Sequence, residues 1–272
     1  MVYDIEIGLN EGITEAANRY YAQSKKFRKK VVGVKKAIEL TTEKIKKAEK
    51  KKVELKEPIE KREKLWFEKY RWSFTKNNKL ILAGKDANSN EIVVKRYMEK
   101  KDFHFHTDIQ GSAHVILKDG QTAEKDELES SALISAIYSK AWNAGLGSVD
   151  VYFVKPEQVS KSAKSGEYLN TGAFVIRGER NWYKKVKLEF AIGLVNLKQF
   201  GEKDIELFMV NTPELFNQID CKFYKVLIPG TKKKSDICKD LLKEAKKQGV
   251  KNLDVNDILP ILPAGKFDYK KR

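Results

Sequence analysis

WFEKYRWSFTKNNKLILAGKDANSNEIVVKRY at residues 66–97, HTDIQGSAHVILK at 106–118 and QVSKSAKSGEYLNTGAFVIRGERNWY at 158–183 carry the reading of the fold. Turn residues divide the first two blocks into short strands. Asn77-Asn78 marks a turn before KLILAG, and DANSN marks another before EIVVKRY. FHFHTD and AHVILK follow, separated by a break around Gly111, so four strands are expected over residues 75–118. A helix is then expected from Thr122 as N-cap, with Glu124, Asp126 and Glu127 placed favourably against its dipole. Leu128, Ala132, Leu133, Ala136, Ile137 and Ala141 form its apolar stripe, and Gly145 ends it. VDVYFV reads as the next strand. Lys155 to Thr171 is polar, basic and rich in turn formers, which suits a binding loop. AFVIRG and KLEFAIGLV return to the sheet. The expected class is α+β, a mainly antiparallel sheet with one principal helix.

Working outward, residues 4–9 alternate as a short lead-in strand. Ile13, Ala17, Tyr20, Ser24, Phe27, Val31, Val34, Ile38, Thr41, Ile45 and Ala48 are spaced by alternating fours and threes, the seam of a coiled coil. A second helix is expected from about Glu57 to Arg71, carrying Ile59, Leu65, Trp66 and Tyr70, with Pro58 in its first turn. The two would form an uneven hairpin. Residues 14–64 hold 18 basic and 8 acidic side chains. Beyond Val195, strands at 204–211 and CKFYKVLIP alternate with helices, one opened by Thr212-Pro213 and one capped by Ser235. The expected domains are therefore 1–64, 65–195 and a small β-α-β-α domain at 196–272.

Lys and Arg exceed Asp and Glu by 54 to 38, a net charge of +16, which points to a polyanionic partner. Cys221 and Cys238 lack metal-type spacing and read as buried free thiols of a reducing compartment. No apolar run is long enough to span a membrane, and the expected location is the cytoplasm. Trp66, Trp72 and Trp142 read as core anchors. His104, His106 and Asp108 would share one face of a strand. A metal site there is the minor reading, and structural or RNA-contacting roles the major one. Asp86, Asp108, Glu167, Lys161 and Arg177 admit an alternative, a metal-dependent RNA-processing enzyme, but the sequence carries no Walker loop, nucleophile elbow, zincin helix or dinucleotide fingerprint. A non-enzymatic reading is favoured, without cofactor. A plain coiled-coil scaffold is the third possibility. Lys161, Lys164, Arg177 and Arg180 can meet phosphates, while Tyr168, Trp182 and Tyr183 can stack on bases.

Several spaced blocks resemble the RNA-binding module, NFACT-R, of the NFACT family of ribosome-associated quality control factors, which includes NEMF and RqcH. The resemblance rests on Trp66, Phe67, Glu68 and Lys69; on Asp86, Asn90 and Glu91; and on His106, Asp108 and Gly111. It continues through Gln158, Ser160, Lys161, Gly166, Glu167, Tyr168 and Leu169 to Arg177, Gly178 and Asn181. Gln110 stands where the family usually has His, Lys85 where it has Arg, and Lys164 where Pro is frequent. The resemblance implies an RNA-contact set of Lys85, Asp86, Asn90, Lys95, Arg96, His106, Asp108, Lys161, Lys164, Glu167, Tyr168, Arg177, Arg180, Asn181 and Trp182. It implies docking on large ribosomal subunits that hold peptidyl-tRNA, through ribosomal RNA or tRNA, and an archaeal-type C-terminal domain. Full-length relatives carry an NFACT-N domain that recruits tRNA. The proximal seam of the long helix is therefore expected to bind a second copy of the chain or a separate NFACT-N protein.

Overall fold

The protein is described from a computed structural model that covers residues 7, 11–53, 62–162, 169–250 and 252–270. The chain divides into two compact units, residues 1–60 and 61–272. In the first, a single helix α1 runs over Ile13–Val53, 41 residues, or about 61 Å at ~1.5 Å per residue. Its seam residues Ile13, Phe27, Val31, Val34, Ile38 and Ile45 are all exposed.

The expected second helix does not continue to Arg71. Glu68 accepts hydrogen bonds from the Leu65 amide at 2.8 Å and from both Arg62 Nη atoms at 2.6 Å. This draws the chain into one 3-10 turn, Trp66–Lys69, from which strand β1 (Arg71–Phe74) leaves directly. Residues 54–61, where that helix would begin, lie outside the described residues. Phe67 fills the core, but Trp66 is 46% exposed and stacks on Tyr97 at 5.0 Å instead of anchoring the interior. Trp72 and Trp142 are buried as expected.

β1 pairs with β2 (Leu80–Ala83), and the six-stranded antiparallel sheet continues through β4 (Val115–Leu117), β3 (Phe103–Thr107) and β5 (Ser148–Val154) to β8 (Asn181–Lys187). EIVVKRY, expected as a strand, is helical: α2 spans Ala87–Ile92 and passes into a π turn, Val93–Tyr97. The cause is local. Asp86 accepts from the Ser89 amide at 2.8 Å, while Ser89 Oγ accepts from the Asp86 amide at 2.8 Å, a reciprocal cap that outweighs the β-branched run. The principal helix α3 (Lys125–Ile137) begins after Glu124 rather than Thr122, because Glu127 reaches back to accept from the Glu124 amide at 2.9 Å. It is broken at Tyr138, and Ser139 caps a short α4 (Lys140–Asn143) before Gly145 turns the chain at φ 69°.

AFVIRG does not rejoin the main sheet. Its β7 (Val175–Ile176) pairs only with β6 (Val159–Ser160) in a two-stranded ribbon. β9 (Phe190–Asn196) also leaves, lying between β10 (Glu206–Asn211) and β11 (Cys221–Lys232), with β12 (Phe267–Tyr269) beyond β11. Thr212 accepts from the Leu215 amide to open the short α5 (Pro213–Phe216), as expected. α6 (Lys234–Lys247) starts after Lys233, so Ser235 sits inside its first turn rather than capping it. α7 (Val255–Ile258) completes the elements. Cys238 is buried and Cys221 half-buried, both free.

The line expected between residues 195 and 196 runs through β9. α3 packs against β3, β4, β5 and β8 of the first sheet and against β10 of the second. That two-sided contact explains why Ser130, Ser131 and Ser135 are buried beside Ala132, Ile134 and Ile137. Polar bonds also cross. Ser73 Oγ donates to Val210 O at 2.8 Å, and the Asn211 amide nitrogen donates to Ser73 Oγ at 2.8 Å and to Phe74 O at 3.0 Å.

Candidate nucleic-acid interface

One end of the six-stranded sheet opens into a cleft of about 810 Å³. The start of α2, the turn at Gly111, the start of α4 and residues 170–176 enclose it. Gly84 is required here, since a Cβ at that position would lie 2.0 Å from Asn90 Oδ1. Asn90 is buried, accepts from the His114 amide at 3.0 Å and donates to Ser112 O at 3.4 Å, so it ties α2 to the strand below. Gly172, at φ 75°, presses against Ala87 with no room for a side chain.

Three histidines share this region. His104 and His106 project from the same face of β3 with rings 6.4 Å apart. His104 Nε2 is 2.8 Å from His114 Nδ1, and the His106 and His114 rings lie 4.5 Å apart at a tilt of 32°. Burial holds all three below the usual imidazole range, His114 down to about 3, so they are neutral near pH 7. Asp108 does not join them. It lies past the end of β3, 71% exposed, with Oδ1 3.7 Å from Arg180. Among the described residues, no three His, Cys, Asp or Glu side chains converge as a metal site.

The remaining expected contact residues separate into occupied and available groups. Lys161 points inward and uses all three of its ammonium protons, on Glu91 at 2.6 Å, Asn170 O at 2.9 Å and Ala173 O at 3.0 Å. Glu91 also pairs with Lys95 at 2.6 Å and accepts from the Gly172 amide at 2.6 Å. The hydrogen bonds from Lys161, Lys95 and Gly172 hold this carboxyl down to about 2. Lys161 is thus the pin of the 169–174 segment rather than an exposed phosphate contact. Asp86 is engaged in capping α2, and Ser89's hydrogen bonds lower its pKa. Lys164, Glu167 and Tyr168 lie outside the described residues.

Arg96 is exposed beside Tyr97, and Arg177 is exposed with Nη2 3.4 Å from Ser162 O. Arg180 leads into β8, the edge strand, which opens with Asn181 and Trp182. Arg180 lies over Tyr152 at 4.5 Å, and Lys184 over Trp182 at 3.9 Å. β8 is bulged: Lys185 has φ 52°, and its amide donates to Asp150 Oδ1 at 2.8 Å. Residues 176–187 carry Arg177, Arg180, Lys184, Lys185 and Lys187 against a single acid, Glu179.

Arg71, Lys140, His114, Tyr152 and Phe174 line the cleft and were not expected there. Arg71 offered a signal, a charge directly between Tyr70 and Trp72 at the head of an apolar strand. Lys140 offered none, because only the break at Tyr138 turns it toward Gly111. No helix among the described residues is long and apolar enough to cross a membrane.

The profile of the NFACT protein RNA binding domain matches residues 69–178. The chain is 40% identical over 225 residues to the archaeal Rqc2 homolog aRqcH of Methanocaldococcus jannaschii, covering 82% of this chain and 32% of that protein. It is 37% identical over 175 residues to the human ribosome quality control complex subunit NEMF, covering 61% of this chain and 16% of that one. The chain thus spans about a third or less of the length of these relatives. Among solved structures, the C-terminal part of the fibronectin/fibrinogen-binding protein from Streptococcus suis aligns at a TM-score of 0.38 and 20% identity, over 68% of this chain and 82% of that one.

Proposed function

The chain belongs to the NFACT family through the RNA-binding domain at its centre, and on that premise we propose that it binds RNA on the large ribosomal subunit in the quality control of stalled nascent chains. The human relative is named as a ribosome quality control complex subunit and the matched domain as RNA-binding, which supports this reading, and it would place the protein in the cytoplasm. The observation that carries the reading is the β8 margin. Lys184, Lys185, Lys187 and a 37%-exposed Trp182 lie on the edge strand, and Arg177 and Arg180 stand on the segment just before it. Cations backed by aromatic rings suit a phosphate chain whose bases are unpaired. Ribosomal RNA and tRNA are the proposed ligands. The exposed seam of α1 is the proposed contact for a second copy or for a protein carrying NFACT-N. The role is binding rather than catalysis.

Salt tests the reading directly. RNA affinity, followed by fluorescence anisotropy, is expected to fall linearly on a log–log salt plot. Replacing Arg180, Lys184 and Lys187 with Ala should reduce the slope by roughly one per lost phosphate contact. Co-sedimentation with large subunits should weaken in parallel. An unchanged slope would move the interface elsewhere, and absence of RNA affinity would end the reading.

A further inference from the structure

Three cations line the cleft without a carboxylate partner among the described residues. The Arg71 guanidinium lies over the Tyr138 ring at 4.2 Å, and its Nε is buried without a hydrogen-bond partner. Among the described residues its only hydrogen bond is a long one, Nη1 to Gly84 O at 3.5 Å. Lys85 is half-buried, with Nζ donating to Glu68 O at 3.1 Å. Lys140 is exposed and lies over Gly111, where a Cβ would sit 2.9 Å from its Cε. Among the described residues, the one acid on the lining is Asp86, and it is occupied by Ser89. Burial lowers the pKa of both Arg71 and Lys85, and the charge of Arg71 lowers Lys85 further. Like charges enclosed together are stabilised by an anion, and guanidinium with ammonium suits phosphate oxygens.

The other wall is different in kind. His106 and His114 are neutral, and Phe174 meets the His114 ring edge-on at 5.1 Å. Neutral imidazoles beside a phenyl ring offer flat, uncharged surface. That suits a polar heterocycle and gives no advantage to a second anion. The volume, about 810 Å³, falls in the ~300–1,000 Å³ range of small-ligand sites. A paired base cannot enter such a cleft without leaving its stack.

We propose that the cleft seats one unpaired nucleotide of the bound RNA, its phosphate on Arg71, Lys85 and Lys140 and its base against His106, His114 and Phe174. The proposal rests on the RNA-binding reading and adds to it a preference for an RNA end, bulge or loop over a duplex. A free nucleoside monophosphate offers the same chemistry, and the test separates the two sources.

The full chain would be titrated with inorganic phosphate, with the four nucleoside 5′-monophosphates, and with an RNA hairpin made either blunt or with a single-stranded 3′ tail. At least one monophosphate should bind more tightly than phosphate and compete with the tailed hairpin. The tailed form should bind more tightly than the blunt one. Lys140→Glu, at an exposed position, should weaken the tailed hairpin and the monophosphate by about tenfold, the scale of one charge-assisted contact, and weaken the blunt hairpin distinctly less. Arg71→Gln should do the same and is read only where its Tm matches the wild type. Equal binding of both hairpins, unaffected by Lys140→Glu, overturns the cleft proposal and leaves RNA binding standing. Monophosphates binding no more tightly than phosphate overturn the base half, leaving an anion site only. Monophosphate binding with no RNA affinity overturns the RNA source and the proposed function together.

Discussion

Glu91 shows how a single side chain can misdirect a functional reading. By collecting Lys161, Lys95 and the Gly172 amide, it turns an apparently free loop lysine into a structural anchor. Loss of RNA binding in Lys161→Ala would therefore report a displaced loop as readily as a lost phosphate contact. Arg180 and Lys140 are cleaner probes. The histidines give a prediction of their own. Their folded pKa values lie below the unfolded value of 6.5, His114 at about 3, so between those limits the unfolded chain binds more protons than the folded one. Stability is complete above about 6.5 and is lost as pH falls from there toward the folded values. Glu91, lowered from 4.5 to about 2, acts in the same direction, but its share is lost only below 4.5. Thermal unfolding followed by circular dichroism should thus show Tm falling between about pH 6.5 and 5, with a shallower fall in His114→Gln. An identical fall in that variant would assign the loss to other groups. In the sequence, His104 and His106 are legible as neighbours because a strand alternates. His114 joins them only through the β3–β4 pairing, which no local pattern announces.

At the scale of elements, the long apolar-and-basic pattern of α1 and the strands FHFHTD, AHVILK and VDVYFV were legible, because their periods are strong and their ends carry turn residues. EIVVKRY was not. β-branched residues favour a strand on average, but the reciprocal cap of Asp86 and Ser89 fixed a helix start just before them. The short turn at 66–69 was hidden for a similar reason, since Glu68 acts on residues before it. The α1 seam carries an element-level prediction. Phe27 and Val31, 59% and 52% exposed, form part of an apolar stripe of a kind usually covered in solution. The wild-type chain is expected to be at least dimeric in sedimentation at high concentration, or to hold an NFACT-N protein, and Phe27→Asp with Val31→Asp should abolish either association while the second unit keeps its Tm. A monomer that holds no such protein would remove the seam from the interface.

For the whole molecule, the sequence suggested a boundary near residue 195 where the structure has a shared core. The signature ends there, but burial does not, because α3 needs both sheets to cover its two sides. Asn211 tests that unity. It is fully buried and bonds Ser73 and Phe74 across the sheets. Asn211→Ala leaves those oxygens without their donor and should cost about 1–3 kcal/mol, in one transition that melts residues on both sides of 195 together. Two separate transitions, only the later one shifted, would restore the boundary. The bulged edge strand β8 has a further consequence, for solubility. A sheet edge with open backbone groups invites another copy to add a strand, and lysines with a bulge are the ordinary deterrents. Of the two, only the bulge at Lys185 is indifferent to ions. In concentrated salt, with screening lengths of ~3 Å near 1 M, the lysines lose their reach just as RNA is released. The protein then guards itself against fibre growth by backbone geometry alone.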